Sequence, residues 1–466
     1  MIAAACLMRL ALYPSFGADA WAYRNYALGF RKDGFLHELG SIRTYGYPAF
    51  LYLLSFLVPS DGRGLWLCAG LVQYSIFLVA SLWLANLVWR FDRKLGCAML
   101  LGLLLNPFLI SVVVDCLSEA LIAPIGVSLA AFSLVATTFS GRSSTIASTA
   151  AGTLLSCFAL MVRPAALPLV VAWNGVAILT IWWNRYFTAP GSLLRSLMSI
   201  SARIRATWFY AVILVAAASV TWTPQIYYNY TTWGRMSPLP VCRFDLVQVP
   251  LSILALRGDS VVNDASINLL TYENPFSSAT QTINRHPINW YVENWRPALE
   301  TIVLRLLLGL SINHLFTYIY PGPKLVEIVW LLASWTIICF GVLRLYDLVK
   351  DFTTGLKWDC NGAAAFVAAL TIGTVSLNSF TVIELRFNLI PLAVLSVFGI
   401  DGILRNKQLQ VSLFALGAAC VLTVFSQLML SALIVTGSPK AGPQYTYTLP
   451  PLNCFTFAWE ANTRPP

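Results

Sequence analysis

The stretch Gly17 to Phe30, "GADAWAYRNYALGF", sets one carboxylate and one arginine among four aromatic rings, after a short apolar N-terminus and ahead of long apolar runs. Its carboxylate, Asp19, is either a solvated loop charge or a group that takes a proton from a substrate hydroxyl within hydrogen-bond reach. Acids gather at two further turns, as Asp115 and Glu119 in "VDCLSEAL" and as Glu384 in "TVIELRFN". Asp115 and Glu119 are four residues apart. On a helical turn they would share one face, where like charges repel unless a cation sits between them, so a metal or a substrate is one reading. The plainer reading is that both cap the helix starting at Leu117, because acids favour helix N-termini. Arg43, Arg163 and Arg386 also fall at turns. A guanidinium fork meets phosphate oxygens with two bonds and stays charged at a membrane surface, while pairing or snorkelling is the structural alternative. Arg386 stands out because it lies between apolar residues in a very short turn, where a stray charge is costly.

Those residues need elements to hold them, and composition says which kind. Of 466 residues, 58% are hydrophobic and 11% charged. Such a chain cannot cover itself with a water-facing surface, so it is expected to be an all-α polytopic membrane protein. Its length allows about 11 spanning helices, within a range of roughly 10 to 13, at ~20 residues each. The net charge of +10 is read through topology, since Lys and Arg near span ends mark the cytoplasmic side; no nucleic-acid partner is expected. The ten cysteines include no CxxC and no Cys/His cluster, and most sit in apolar runs where Cys acts as a small hydrophobe.

Along the chain, Met1 to Tyr13 is apolar but shorter than a span, and is read as a first helix whose start is truncated or miscalled rather than as a signal peptide, since no basic stretch precedes it. Residues 14–63 read as an ordered outer loop with interfacial helices. Spans are then expected at Gly64 to Trp89, Leu95 to Val114, Leu117 to Phe139, Thr145 to Met161, Leu167 to Trp183 and Thr207 to Thr223. The basic clusters Arg90, Arg93, Lys94 and Arg185 to Arg205 fix the cytoplasmic side. These helices, residues 1–223, form an N-terminal membrane module. Residues 224–323 are the longest polar region and read as an external loop domain, closing with an amphipathic or re-entrant helix that carries Glu300, Arg305 and His314. One His on an apolar helix is more often a satisfied polar contact than a ligand. Residues 324–435 hold four more spans, at Leu325 to Leu343, Gly362 to Phe380, Leu389 to Leu404 and Val411 to Val435, and 436–466 form an extended external tail. Trp and Tyr are interfacial anchors for the most part, although Trp21, Tyr23, Tyr45 and Tyr47 have the shape to stack on a sugar. "NYT" at Asn229 matches a glycosylation sequon.

In order, "GADAWAYRNYALGF", "RTYGYPAFLYLL", "NPFLISVVVDCLSEAL", "MVRPAALPLVVA", "TWTPQIYYNYTTWGRMSPLP" and "IELRFNLIPLAVL" resemble the GT-C integral membrane glycosyltransferases, the group that includes protein mannosyltransferase and aminoarabinose transferase types. The resemblance spans Pro14 to Leu395. It implies an enzyme of a bacterial inner membrane that moves a sugar from a polyprenyl-phosphate donor to a glycan, lipid or protein acceptor on the extracytoplasmic face. It also implies that Asp19 is the catalytic acid of the first outer loop, with Asp115 or Glu119 the acids of the second outer turn. Many relatives pair two acids where this chain has Asp19 followed by Ala20, so a divalent metal is left open and Asp19 acts alone. The leaving lipid phosphate would be met by Arg386, Arg43 and Arg163, with Tyr45, His314 and Glu384 as donor or acceptor contacts. Two rivals stand beside this reading. One is a polymerase or ligase for lipid-linked polysaccharide; the other is a transporter or flippase, whose acids belong near mid-span rather than at span ends.

Overall fold

The computed structural model describes residues 18–37, 39, 43–58, 63–138, 142–183, 193–240, 260–263, 268–271, 291–292, 295–310, 324–353, 367, 370–371, 373–374, 388–406, 408–436 and 445–448. In chain order these form α1 (Ala18–Asp33), α2 (Gly46–Leu54), α3 (Arg63–Trp89), α4 (Arg93–Leu104), α5 (Pro107–Val114), α6 (Ser118–Thr138), α7 (Arg142–Val162), a 3-10 turn at Pro164–Ala166, α8 (Leu167–Trp183) and α9 (Leu193–Trp233). Strands β1 (Ser260–Asn263) and β2 (Asn268–Thr271) follow, then α10 (Trp295–Leu310), α11 (Lys324–Thr353), α12 (Leu389–Arg405), α13 (Leu409–Thr436) and β3 (Tyr445–Thr448).

Among the described residues six helices are long and apolar enough to cross a membrane, or seven if the bent pair α4 and α5 is one span. The protein is thus a multi-pass membrane protein by helix length and composition. Of the other expected spans, α8 and α12 are helices of 17 residues each, short of the ~20 that a perpendicular crossing needs. Met1 to Tyr13 and most of Gly362 to Phe380 lie outside the described residues. The break between α4 and α5 is a 55° bend with a local cause. Pro107 cannot donate to the preceding turn, so the helix stops and restarts, with Asn106 accepting from the Leu109 amide at 3.2 Å as the new N-cap.

Helix α6 is the hub of the bundle. Within Ser118–Ala136, 78% of residues are buried, against 17% for Ile204–Trp233 in α9 and 22% for Leu409–Gln427 in α13, which makes those two the peripheral, lipid-facing helices. One core joins α1, α2, α3, α6, α7 and α8, centred on residues such as Tyr47, Trp66, Leu129 and Trp173. A second joins α3 to α6 with α11, α12 and α13, through Phe77, Phe108, Leu331 and Leu392. Helices α11 and α12 approach backbone to backbone: a Cβ on Gly399 would lie 2.1 Å from the Ile337 carbonyl oxygen, and one on Gly341 2.4 Å from that of Leu395. Small residues at such seams let helices gain van der Waals contact where lipid offers no hydrophobic drive.

Helix α9 departs from the expected boundaries at both ends. It starts at Leu193, inside the stretch read as a cytoplasmic loop, and runs through Pro224 for 41 residues, about 60 Å at ~1.5 Å per residue. It ends in an αL cap, where the Gly234 amide donates to the Tyr230 carbonyl (2.9 Å) and the Arg235 amide to the Asn229 carbonyl (3.2 Å), with Gly234 at φ +67°. The Asn229 side chain is buried and donates to the carbonyls of Ser237 (2.7 Å) and Leu239 (2.8 Å). The sequon match is therefore a structural bracket that closes the helix end, with its amide shut away from a glycosylating enzyme.

Beyond α9, β1 and β2 pair antiparallel, and β3 from the tail adds to β2 with Leu270 opposite Thr446. Read as a loose extended segment, the tail instead contributes a strand to the loop region; this small sheet is the one departure from an all-helical chain among the described residues. Helix α10 occupies the place read as amphipathic. Its 16 described residues are fewer than the ~20 of a perpendicular crossing, and the residues that follow, His314 among them, lie outside the described residues.

Candidate functional site

The two acids of the second turn do not share a helical face, because the chain between them is not helical. Asp115 is the C-cap of α5 in extended conformation (φ −73°, ψ 153°), and its Oδ1 accepts the amide of its own neighbour Cys116 at 2.8 Å. Glu119 lies in the first turn of α6, where a carboxylate also meets the positive end of the helix dipole. Glu119 thus sits in the first helical turn with its oxygens turned to side chains, whereas Asp115 shapes the turn itself. Gln73, buried on α3, fastens that turn. Its amide donates to the Asp115 carbonyl (3.2 Å) and the Ala69 carbonyl (3.3 Å), and its carbonyl accepts from the Tyr47 hydroxyl (2.9 Å). The Cys116 thiol is fully buried and donates to the Trp66 carbonyl at 3.6 Å. Burial, then the neighbouring Asp115 charge, pushes its pKa up, which leaves it an inert thiol.

Glu119 is the centre of the polar cluster. Its Oε1 pairs with Arg163 at the tip of the α7–α8 hairpin, and its Oε2 accepts from the Ser118 hydroxyl at 2.9 Å. Tyr23 on α1 donates to the Ser118 Oγ at 3.2 Å, and Arg43 Nη1 donates to the Tyr23 hydroxyl oxygen at 3.2 Å. The Arg43 guanidinium also stands 5.0 Å from the Tyr23 ring centroid, and the Tyr23 ring meets Tyr47 edge-on at 4.9 Å. The first loop, the second turn and the α7–α8 hairpin are thereby bound into one network of side chains. Two of the three arginines singled out in the sequence, Arg43 and Arg163, belong to it. Arg386, Glu384 and His314 lie outside the described residues.

Asp19 falls in the first turn of α1, one helical turn ahead of Tyr23. Buried Ala20, Tyr23, Ala27 and Phe30 mark the face of α1 that packs inward, with the i, i+3, i+7 and i+10 spacing of a helix. Position 19 lies on the same stripe as Tyr23, since residues four apart stack on one face. Tyr45 has a different duty from the one expected. It is buried, its amide donates to Gln225 Oε1 (3.0 Å) and its hydroxyl to the Thr221 carbonyl (2.6 Å). Burial pushes that hydroxyl up to about 12. Tyr45 is the tether between the first loop and α9.

Further along α6, an apolar cavity of about 80 Å³ opens between α3, α4, α6 and α12. Its α6 wall is Ala123, Gly126, Val127 and Ala130. These lie on the stripe that starts at Glu119, at helical spacing of four, seven, eight and eleven residues. Ile390 and Val397 of α12 face them across the cavity. A polar cluster at the helix start is thus followed along the same face of α6 by a hydrocarbon-lined space.

No protein-family model, curated protein or solved structure matches this chain. The site therefore has to be interpreted from its own chemistry. No three His, Cys, Asp or Glu side chains gather into a cation site among the described residues. Glu119, the best-placed acid, has one oxygen on a guanidinium and the other on a hydroxyl, an arrangement suited to fixing cations of the protein rather than to ligating a metal.

The sequence pointed to Glu119, Arg43 and Arg163 separately but not to what joins them. Ser118 and Gln73 went unnoticed. Ser118 carried a legible signal, a Ser at a helix start with a Glu beside it. Gln73 sits inside an apolar run without one.

Proposed function

We propose that this protein is a membrane glycosyltransferase of the GT-C type, in a bacterial inner membrane with its site facing outward. It takes a sugar from a polyprenyl-phosphate donor and gives it to a hydroxyl of a glycan, lipid or protein acceptor. The observation that carries this reading is the convergence of the α1 face bearing position 19 with Glu119, Arg163 and Arg43, at the head of the apolar cavity along α6.

In the reaction, the acceptor oxygen attacks the anomeric carbon while its proton passes to the Asp19 carboxylate. The bond from that carbon to the phosphate oxygen breaks, and its electron pair leaves with the lipid phosphate. Charge develops on that phosphate, so fixed cations at its position lower the barrier. Arg163, held by Glu119, and Arg43, held by Tyr23, place two such charges at one end of the bundle. Glu119 is the anchor of Arg163 rather than the base, because both of its oxygens already accept donors.

The test is sugar transfer in proteoliposomes supplied with polyprenyl-phosphate sugars, comparing wild type with Asp19→Asn, which removes the charge at constant shape. Transfer should fall by about 10²- to 10⁴-fold, the usual contribution of a general base, with insertion and thermal stability unchanged. A rate equal to wild type removes Asp19 from the mechanism. The pair of arginines in the cluster favours a second reading, a polymerase or ligase of lipid-linked polysaccharide. There Asp19→Asn would retain transfer, while Arg43→Gln would abolish it.

A further inference from the structure

Three donors in series, Arg43, Tyr23 and Ser118, end on Glu119, and their order is fixed from both ends. A guanidinium only donates, and a carboxylate paired with arginine only accepts. Ser118 has a single hydroxyl proton, spent on Glu119 Oε2 at 2.9 Å, so toward Tyr23 it accepts. Tyr23 therefore spends its own proton on Ser118 at 3.2 Å and accepts from Arg43 Nη1 at 3.2 Å. Neither hydroxyl can be reversed without leaving a buried group opposed to its like. Tyr23 and Ser118 are both buried, at 5% and 1% exposure, where such chains polarise each other and an unmet partner is costly.

We propose that Tyr23 is a positioning residue of the transferase site, acting through Ser118 to set the register of α1 against the start of α6. This inference rests on the glycosyltransferase reading for its catalytic consequence. Position 19 lies one turn before Tyr23, about 6 Å along the helix axis at ~1.5 Å per residue. Whatever fixes Tyr23 against Ser118 thus fixes the base against Glu119 and Arg163. The same chain ties the Arg43 charge to the Arg163 charge through one carboxylate, so the two cations that meet the phosphate are placed together. The edge-on contact of Tyr23 with Tyr47 holds the ring independently of the hydroxyl. Removal of the oxygen alone then loosens register without unfolding the loop.

The experiment is steady-state transfer by the full-length protein in proteoliposomes, with undecaprenyl-phosphate sugars as donors, for Tyr23→Phe, Ser118→Ala, the double variant and Ser118→Thr. Each of the first two should lower kcat roughly 10-fold with donor KM within about 2-fold, the signature of misplacement after binding. Because both break one chain, the double variant should be no slower than the slower single, and Ser118→Thr, which restores a hydroxyl, should recover most of the rate. Multiplying losses, a failed rescue by threonine, or a change confined to KM would overturn the proposal. If the wild type transfers no sugar from any donor, the transferase reading falls by itself. The chain is then judged by thermal unfolding of the same four proteins, where additive Tm shifts for the two single variants overturn it and non-additive shifts uphold it.

Discussion

Two charge clusters occupy opposite ends of this bundle, separated by the 27 residues of α3, about 40 Å of helix. At the far end Asp401 of α12 is fully buried between two guanidiniums, with Arg344 Nε at 2.9 Å on one oxygen and Arg405 Nε at 2.6 Å on the other. Arg405 also pairs with Asp92 in the α3–α4 turn. Two acids and two bases close on one another and bind α11, α12 and the α3–α4 turn together. At the first-loop end the carboxylate has a guanidinium on one side and a hydroxyl chain on the other, ending at Arg43 of a loop. Here two cations share one acid, and the chain crosses from bundle to loop. A balanced, closed cluster holds helices. One that joins bundle to loop through hydroxyls, with an arginine at each of its ends, is suited to receive an anion.

The sharpest way to break that contrast is to remove the central acid at each end. Asp401→Ala strands the partly buried Arg344 guanidinium and leaves Arg405 with Asp92 alone, which costs about 3–5 kcal/mol for a buried pair broken on one side. The expected result is a large fall in Tm and in folded yield, with the surviving molecules transferring at the wild-type rate per molecule. Glu119→Gln keeps shape and most of the hydrogen bonding but frees Arg163 from its counter-charge, so its main loss should be in rate. Measured side by side, equal losses of stability with unchanged specific rates would make both clusters structural and dissolve the comparison.

A smaller effect concerns the seam that carries the far cluster. Gly399→Ala places a methyl 2.1 Å from the Ile337 carbonyl oxygen, so α11 and α12 must separate, at about 1–3 kcal/mol for overpacking of this kind. The separation pulls Arg344 away from Asp401, and a double variant with Asp401→Asn should cost less than the two single losses together. Gly417→Ala on α13, where no atom lies within 4 Å of the added methyl, is the control and should leave Tm unchanged. A Gly399→Ala protein as stable as wild type would show that the seam can give, and that the ion cluster, not the close contact, sets the helix spacing.

How far the sequence alone led differs between the same two ends. The membrane class and most helix positions follow from hydropathy and charge, because a helix in lipid must be apolar along its length. The α7–α8 hairpin tip at Arg163 was likewise legible from proline, whereas the break at Pro107 departs from the single span expected over Leu95 to Val114. Glu119 and Arg163 were picked out as charges at span ends, but their pairing joins helices 44 residues apart in the chain, and one sequence carries no such information. Asp401 shows the opposite failure. An acid in "FGIDGILR" with Arg405 one turn later is a readable i,i+4 pair, yet it was absorbed into an apolar span because its partner Arg344 sits on a different helix. The overrun of α9 past Pro224 was missed for a local reason. Proline marks a probable helix end, and here Gln225 and Asn229 keep the last turns packed against the first loop and the following segment.

The weakest expected effect lies at the rim of the far cluster. Burial would raise the Asp92 pKa, but the Arg405 contact and the amides of Leu95 and Lys94 outweigh it and hold the carboxyl below its ordinary value. A depressed carboxyl contributes stability that is present above the unfolded pKa of about 3.9 and is lost as pH falls through the lower folded value. The side chain is 35% exposed, and exposed pairs are worth about 0–1 kcal/mol, so the acid limb should be shallow. Wild type should lose a small part of its Tm between pH 4 and the lower folded value. Asp92→Asn should lack that part of the limb while keeping a near-native Tm at pH 7. A deep acid limb that survives Asp92→Asn would instead mean that the closed cluster opens to solvent, as only the first-loop end is expected to do.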